Sequence, residues 1–191
     1  ECEAARDLTE LVTQQGTHTD STVGLPNRIE PWCAPAGGTP ERFLRFTAPD
    51  TGRFVVHTAS ADTSFDTVLY AFSDCADPEG TSLGCNDDLT DNAGWVLPGD
   101  PSELGEDFAY TSALSLDLEA GQEVIIGVDG YSDGEEGAFD IRVESLVCGD
   151  GRVVVGEDCE DGNTTNGDGC DSECHLECED DVYDAVEDED F

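Results

Sequence analysis

Negative charge constrains this chain more than any other feature of its sequence. The 191 residues include 46 Asp and Glu against 7 basic residues, all Arg, for a formal net charge of −39 at pH 7. Repulsion among so many carboxylates destabilises any compact state. A folded body of this composition requires either cations bound among the carboxylates or a salty solvent that screens them. We favour bound cations, because the acidic residues concentrate in loops rich in Asp, Asn and Gly; adaptation to high salt is the alternative.

The same charge excludes two classes of partner. Nucleic acids and anionic membranes bind proteins through basic patches, and 7 Arg among 46 acidic residues do not supply one. No apolar run approaches the roughly 20 residues of a membrane-spanning helix. We therefore expect neither nucleic-acid binding nor membrane insertion.

Nine cysteines point to an oxidising compartment, and hence to a secreted or cell-surface protein whose leader peptide has been removed. Sequence alone does not fix disulfide connectivity. We expect Cys2–Cys33 and Cys75–Cys85, and leave Cys178 as the candidate for the odd cysteine. A zinc site that includes His175 is a less favoured use of the last cysteines. The other cysteines expected in disulfides are Cys148, Cys159, Cys170 and Cys174.

Short segments of alternating or continuous apolar residues, separated by Gly, Asp and Pro turns, predict an all-β fold. We expect the first two of these segments, 42–47 and 53–58, to form a hairpin. A helix and a strand both fit the first twenty residues, and we favour a strand. Strands this short favour an antiparallel β-sandwich over a parallel α/β sheet. The predicted strands are 42–47, 53–58, 67–72, 112–118, 123–128 and 137–143.

Composition divides the chain into three parts. Residues 1–146 carry the predicted sandwich, for which a jelly-roll-like architecture is expected. Residues 147–178 lose the apolar periodicity and gain cysteines, so disulfides or metal must hold this small module together. Residues 179–191 form an acidic tail.

Two resemblances follow from particular stretches. The stretches FTAPDTG (46–52), SFDTVLY (64–70), CNDD (85–88) and VDGY (128–131) resemble those of the bacterial pre-peptidase C-terminal domain, a β-sandwich often appended to secreted peptidases. The Cys, Gly, Asp and Asn pattern of residues 148–178 resembles a single copy of the Cys-rich repeat of myxobacterial surface proteins. The resemblances imply a secreted or surface-exposed bacterial protein and imply no chemistry.

Two groups of oxygen-bearing residues are candidate calcium ligands, because calcium takes six to eight carboxylate, amide and carbonyl oxygens. In the sandwich we expect one group to meet where loops cluster at one end; the acidic run that includes Glu135 is expected to be a solvated loop. The alternative for both groups is that they only form turns. The candidates are Asp66, Asn86, Asp87, Asp88 and Asp129 in the sandwich, and Asp150, Asp158, Asp161, Asn163, Asp168 and Asp171 in the Cys-rich module.

No pattern of catalytic residues is apparent. Two stretches match GxSxG in letters, GTSLG (80–84) and GYSDG (130–134), but an all-β chain offers no strand-to-helix turn to make either a nucleophile elbow, and HExxH does not occur. Acids in Gly/Asn turns lack the apolar surroundings that a general acid needs. We therefore expect a non-catalytic protein. The leading hypothesis is a calcium-binding subunit of an extracellular filament or surface assembly, in which the tail docks head-to-tail on a neighbouring copy. The alternative is a carbohydrate- or protein-binding targeting module of a secreted hydrolase system, with Trp95 and Tyr131 as a ligand platform.

Overall fold

The computed structural model describes residues 5–10, 16–34, 38–88, 110–151 and 157–177. The chain separates into two compact units near Val147 and Cys148. The described part of the first unit is built from strands. They are β1 (Arg6–Asp7), β2 (His18–Ser21), β3 (Arg42–Thr47), β4 (Gly52–His57), β5 (Thr67–Phe72), β6 (Ser82–Asn86), β7 (Ala113–Leu118), β8 (Glu123–Gly130) and β9 (Ala138–Leu146).

The strands form two sheets, one in the order β1-β3-β8-β5-β6 and the other in the order β2-β9-β4-β7. The short β1 pairs parallel with β3, and the remaining pairs are antiparallel. From β2 to β5 the chain changes sheet at every connection, and it does so again between β6 and β9. This order is that of an eight-stranded jelly roll with β1 added at an edge. The predicted all-β, jelly-roll-like sandwich is confirmed.

The core lies between the two sheets, as the alternating pattern predicts. Leu44 and Phe46 of β3 face Phe54 and Val56 of β4 across the sandwich, and all four are buried. The rings of Phe46 and Phe54 meet edge to face with centroids 5.2 Å apart. Val124 and its alternate neighbours on β8 complete the inner face of the larger sheet.

The predicted hairpin between the first two long strands is wrong. β3 pairs with β8, whereas β4 pairs with β7 and β9 in the opposite sheet. The turn after Thr47 therefore carries the chain over the core instead of along one sheet. Both strands alternate apolar and polar residues, and this pattern fixes which face is buried but not which strand is the neighbour.

Three strands are absent from the six predicted ranges, and each forms an edge of its sheet. β1, β2 and β6 have the sequences RD, HTDS and SLGCN. They are short and polar because an edge strand is buried on few sides, so they lack an apolar pattern. The strand favoured for the first twenty residues is present as β1 and β2, although Thr9 and Glu10 between them are helical.

The outer face of the larger sheet is also covered. All six residues of β5 are buried, and Tyr70 and Phe72 point away from the core into a second apolar cluster. Trp32 covers this cluster, with its ring centroid 5.5 Å from that of Tyr70. Gly127 of β8 lies under the Tyr70 ring, where any side-chain carbon would overlap it. A glycine is therefore required for the ring to lie flat on the sheet.

The disulfide pairing expected for the first unit is wrong. Cys33 pairs with Cys85, not with Cys2, and so Cys75 does not pair with Cys85. Cys75 is nonetheless disulfide-bonded. Sequence proximity suggested the shorter loop, but the folded sheet brings Cys33 to β6, where the bridge ties the covering segment over the Tyr70 cluster. Cys2 and Cys178 lie outside the described residues.

The Cys-rich unit is held by two described disulfides, Cys148–Cys174 and Cys159–Cys170. Cys170 and Cys174 are its buried apolar residues in the described part, and one isolated bridge joins Cys170 to Leu176. The expectation that cross-links replace a core in this module is consistent with these pairs. No helix in the described segments is long and apolar enough to cross a membrane.

Candidate acidic site at the loop end of the sandwich

Four of the predicted ligands lie at the ends of two adjacent strands, at one end of the sandwich. Asp66 immediately precedes β5, and Asn86, Asp87 and Asp88 follow along the end of β6, the strand that pairs with β5. The amide nitrogen of Asn86 donates to the Asp88 carbonyl at 2.9 Å, and its oxygen accepts from the Ala113 N–H at 3.0 Å. Asn86 is therefore buried scaffolding that fixes the acidic turn, and both polar atoms of its side chain are engaged in hydrogen bonds.

The Asp66 carboxyl is the electrostatic centre of this site. Burial, followed by the charges of Asp88, Glu135 and Asp87, raises its pKa from 3.8 to about 6. Its Oδ1 is buried and has no hydrogen-bond partner among the described residues. The site therefore holds negative charge at a cost that a proton or a cation would offset. We refer to Asp66, Asp87, Asp88 and Glu135 as the Asp66 cluster.

Glu135 is a member that the sequence did not identify. It belongs to the loop between β8 and β9, and its carboxylate accepts a hydrogen bond from the Asp66 N–H at 3.3 Å. The Tyr131 N–H in turn donates to the Asp66 carbonyl at 3.1 Å. These two bonds bring the β8–β9 loop against Asp66. The acidic run was expected to be solvated because its spacing in the chain carries no sign of this contact.

A cleft of about 620 Å³ adjoins the cluster. Asp66 and Glu135 form its acidic wall, and most of the rest is hydroxyl groups. Tyr110 lies at its edge with 57% of its surface exposed. The remaining lining residues are Ser60, Ala61, Thr63, Ser64, Phe65 and Thr111.

Asp129 is held by other residues. Its Oδ1 accepts hydrogen bonds from the Thr39 hydroxyl at 2.5 Å and from the Gly130 N–H at 2.8 Å. Burial raises its pKa to about 6, and the acidic charge that acts on it is Glu30, which is not part of the Asp66 cluster. The side chain belongs to the outer face of the larger sheet, because Asp129 alternates with the core residue Val128 along β8.

In the Cys-rich unit, three predicted ligands meet at one exposed loop. The Asn163 amide nitrogen donates to Asp161 Oδ1 at 3.1 Å and to Asp168 Oδ2 at 3.2 Å. Asp171 instead closes a turn: its carboxylate accepts from the N–H groups of His175 and Glu173, which lower its pKa.

Two other predicted ligands of this unit, Asp150 and Asp158, take part in hydrogen bonds through their backbone N–H groups. The Asp150 N–H donates to Glu160, a carboxylate whose pKa is lowered by several such bonds, and the Asp158 N–H donates to the Cys174 carbonyl. Glu177 accepts from three consecutive N–H groups, of which that of Asp168 is one. Much of the acidity of this unit therefore serves its turns, which is the alternative raised by the sequence.

One set of three potential metal ligands lies within 4.8 Å in the described part of the chain: Cys148, Glu157 and Cys174. The two sulfurs are joined in a disulfide and so offer no thiolate. Glu157 is fully buried beside them, with Oε1 3.3 Å from the Cys174 sulfur. This set is therefore a structural contact of the oxidised unit.

Trp95 and Tyr131 were predicted to form a ligand platform, and only Tyr131 lies among the described residues. Trp95 lies outside the described residues. Tyr131 is partly buried, and its backbone rather than its ring contacts Asp66. The exposed aromatic residue that lines the cleft is Tyr110, which no sequence pattern singled out.

Comparison with known proteins adds a likeness of structure. No protein-family model matches the chain, and no curated protein matches it. The structure is similar to the pre-peptidase C-terminal domain of a collagenase from Bacillus anthracis, with a TM-score of 0.42 and 11% sequence identity over 73% of this chain and 93% of that chain. The fold class rests on the strand order of this chain and does not depend on that similarity.

Proposed function

We propose that this chain is a non-catalytic extracellular module that binds calcium at the Asp66 cluster and a carbohydrate in the adjoining cleft. The observation that carries the proposal is the buried, unpartnered Asp66 oxygen surrounded by the charges of Asp88, Glu135 and Asp87. The described disulfides are compatible with an oxidising compartment outside the cell.

Calcium fits the cluster for reasons of charge and ligand type. Every ligand offered is an oxygen, and calcium prefers carboxylate and carbonyl oxygens. No three carboxylates of the described cluster lie within 4.8 Å of one another. We therefore expect two carboxylates to ligate directly while carbonyl groups and water complete the shell, and the other acids to contribute through their charge.

The cleft favours a carbohydrate as the ligand beside the ion. Sugar hydroxyl groups pair with the Ser, Thr and carboxylate oxygens of the lining, and an exposed aromatic ring such as Tyr110 packs on the apolar face of a sugar. This supports the targeting role more than the filament role.

Calcium titration calorimetry of Asp66→Asn tests the first half of the proposal. Asn keeps the size of Asp66 but removes the charge at the centre of the cluster, so we expect the substituted protein to lose one bound calcium. Asp133→Asn is the matched control, because Asp133 is exposed in the same acidic loop as Glu135. Equal calcium binding by Asp66→Asn and wild type would contradict a site at Asp66.

Glycan-array binding with and without EDTA tests the second half. We expect binding that requires calcium and that Tyr110→Ala weakens. A glycan bound equally well in EDTA would show that the cleft acts without the ion. Release of shortened sugars from a bound glycan would contradict the non-catalytic assignment, because Asp66 and Glu135 line the same cleft.

Assembly into a filament or surface layer stays a prediction. It depended on the apolar residues of the acidic tail, which lie outside the described residues. Size measurement with calcium and with EDTA tests it: a monomer under both conditions argues against calcium-dependent assembly.

A further inference from the structure

A second pair of carboxylates faces each other on the outer surface of the larger sheet. β3 and β8 are antiparallel neighbours in which Arg42 pairs with Val128. Continuing this register by one residue brings Glu41 directly opposite Asp129. Side chains of directly opposed residues start only about 5 Å apart, and like charges in this relation are destabilising.

Both members of the pair are buried. Glu41 is 4% exposed and Asp129 is 1% exposed. One oxygen of each is engaged: Glu41 Oε2 accepts the Arg28 N–H at 2.9 Å, and Asp129 Oδ1 accepts from Thr39 and Gly130. The other Glu41 oxygen, Oε1, is buried without a hydrogen-bond partner among the described residues.

The hydroxyl group of Tyr70 reaches the same region. Tyr70 pairs with Gly127, two residues before Asp129 on the same face of β8, and its ring lies over that glycine. The hydroxyl is fully buried and likewise has no described hydrogen-bond partner. The charges of Asp129, Glu41 and Glu30 act on it and raise its pKa. Two buried oxygens without partners therefore accompany two opposed carboxylates.

The balance of charge in this region is negative. Glu30 adds a third carboxylate, and it acts on both Asp129 and Tyr70. Arg28 supplies a positive charge near Glu41, but its effect is the last in order of size among the causes that shift the pKa of that carboxyl. Arg42 also lies beside Glu41, and its guanidinium is paired with Asp20 at 3.0 Å. A buried charge without compensation is strongly destabilising, so a proton or an added cation would stabilise the region.

A small cavity reaches one member of the pair, Glu41. A cavity of about 110 Å³ has Glu41 in its wall, along with Arg28, Arg42 and Phe43, and it has room for an ion with attached water. This cavity does not involve any residue of the Asp66 cluster. The charges that act on Asp66 and on Asp129 also come from different residues.

We propose that Glu41, Asp129 and the Tyr70 hydroxyl form a second, buried site for a divalent cation of the calcium type. The carboxylates would supply charge and two or more oxygens, and the hydroxyl would supply a neutral oxygen. An ion here would link β3, β5 and β8 beneath the segment that Cys33–Cys85 ties down. The site stands apart from the Asp66 cluster, so it exists or fails independently of the proposed function.

Calcium titration calorimetry in the Asp66→Asn background tests the site without interference from the first one. We expect Glu41→Gln added to this background to abolish the remaining calcium bound in the sandwich, and Asp129→Asn to do the same. Glu119→Gln is the control, because Glu119 is an exposed turn residue. Tyr70→Phe keeps the ring and removes one neutral ligand, so we expect the Kd to rise by about tenfold.

The outcomes distinguish a calcium ion bound between Glu41 and Asp129 from a proton shared by the two carboxylates. Loss of one calcium per chain in both carboxylate variants, with native circular dichroism retained, supports the site. Unchanged stoichiometry, together with an equal calcium-induced rise in Tm for Glu41→Gln and its parent, overturns it. That result would mean that the pair shares a proton and that calcium binds elsewhere.

Discussion

Replacing Glu41 by Gln in the metal-free protein changes the pH dependence of stability in a predictable direction. Burial, with the charge of Asp129 as a further cause, raises the pKa of Glu41 from 4.5 to about 7. A carboxyl whose pKa is higher in the folded state contributes stability that is fully present below about pH 4.5, and this contribution is lost as the pH rises through about 7. Gln has no proton to lose, so the variant avoids that loss.

The magnitude follows from the two pKa values. The interval from 4.5 to about 7, at about 1.4 kcal/mol for each pH unit, corresponds to at most about 3.5 kcal/mol. Glu41 is 4% exposed, so solvent screens little of this difference. We therefore expect Glu41→Gln to be more stable than wild type by up to about 3.5 kcal/mol near pH 8, and the advantage to shrink toward zero near pH 4.

Urea unfolding in EDTA, measured for both proteins at several pH values, checks this expectation. Comparing the two proteins at the same pH cancels the titration of the other acidic residues. A stability difference that does not change between about pH 4 and about pH 8 would refute the assignment of a raised pKa to Glu41. A variant less stable than wild type near pH 8 would show that Glu41 is engaged by a positive charge instead of opposed to Asp129.

Three further outcomes follow from the fold. Removing Cys33–Cys85 by a double Cys→Ser substitution frees a span of 52 residues, and we expect urea unfolding to report a loss of about 4 kcal/mol. Gly127→Ala puts a carbon into the Tyr70 ring, so we expect a loss of about 1–3 kcal/mol, whereas Gly52→Ala, which meets no atom within 4 Å, serves as the control. Added NaCl should raise the Tm of the EDTA-treated protein because it screens the net charge of −39, and a Tm independent of salt would contradict a destabilising repulsion.

Much of the sandwich was predictable because burial imposes a local pattern. The apolar alternation of 42–47 and 113–118 and the continuous apolar run of 67–72 correspond to β3, β7 and β5. A strand at an edge, such as β6, has no such pattern because few of its side chains are buried. The hairpin error has the same origin, since a pattern of buried faces contains no information on which strand lies alongside.

The acidic site was predicted in part. Asp66 was recognised because it precedes an apolar strand, and Asp87 and Asp88 because they follow Cys85 in a run of acidic and amide residues. The loops of a sandwich collect at its two ends, so these residues were expected to meet. Glu135 was missed because its contact with Asp66 spans 69 residues. Asp129 was assigned to the same end because it also stands near a strand terminus, but the alternation along β8 turns its side chain to the outer face.

The sequence by itself determined the class of fold, the strongly acidic character and the need for cross-links, because composition and alternation are local properties of the chain. Only the tertiary structure decided that Cys33 meets Cys85, that Glu135 joins Asp66, and that the charge of Asp129 acts on the buried Glu41. These pairs depend on strand order and register across the sheets. Many strand orders bury the same apolar faces, so the physical reason for each pair lies in the packing of distant segments and not in any stretch of sequence.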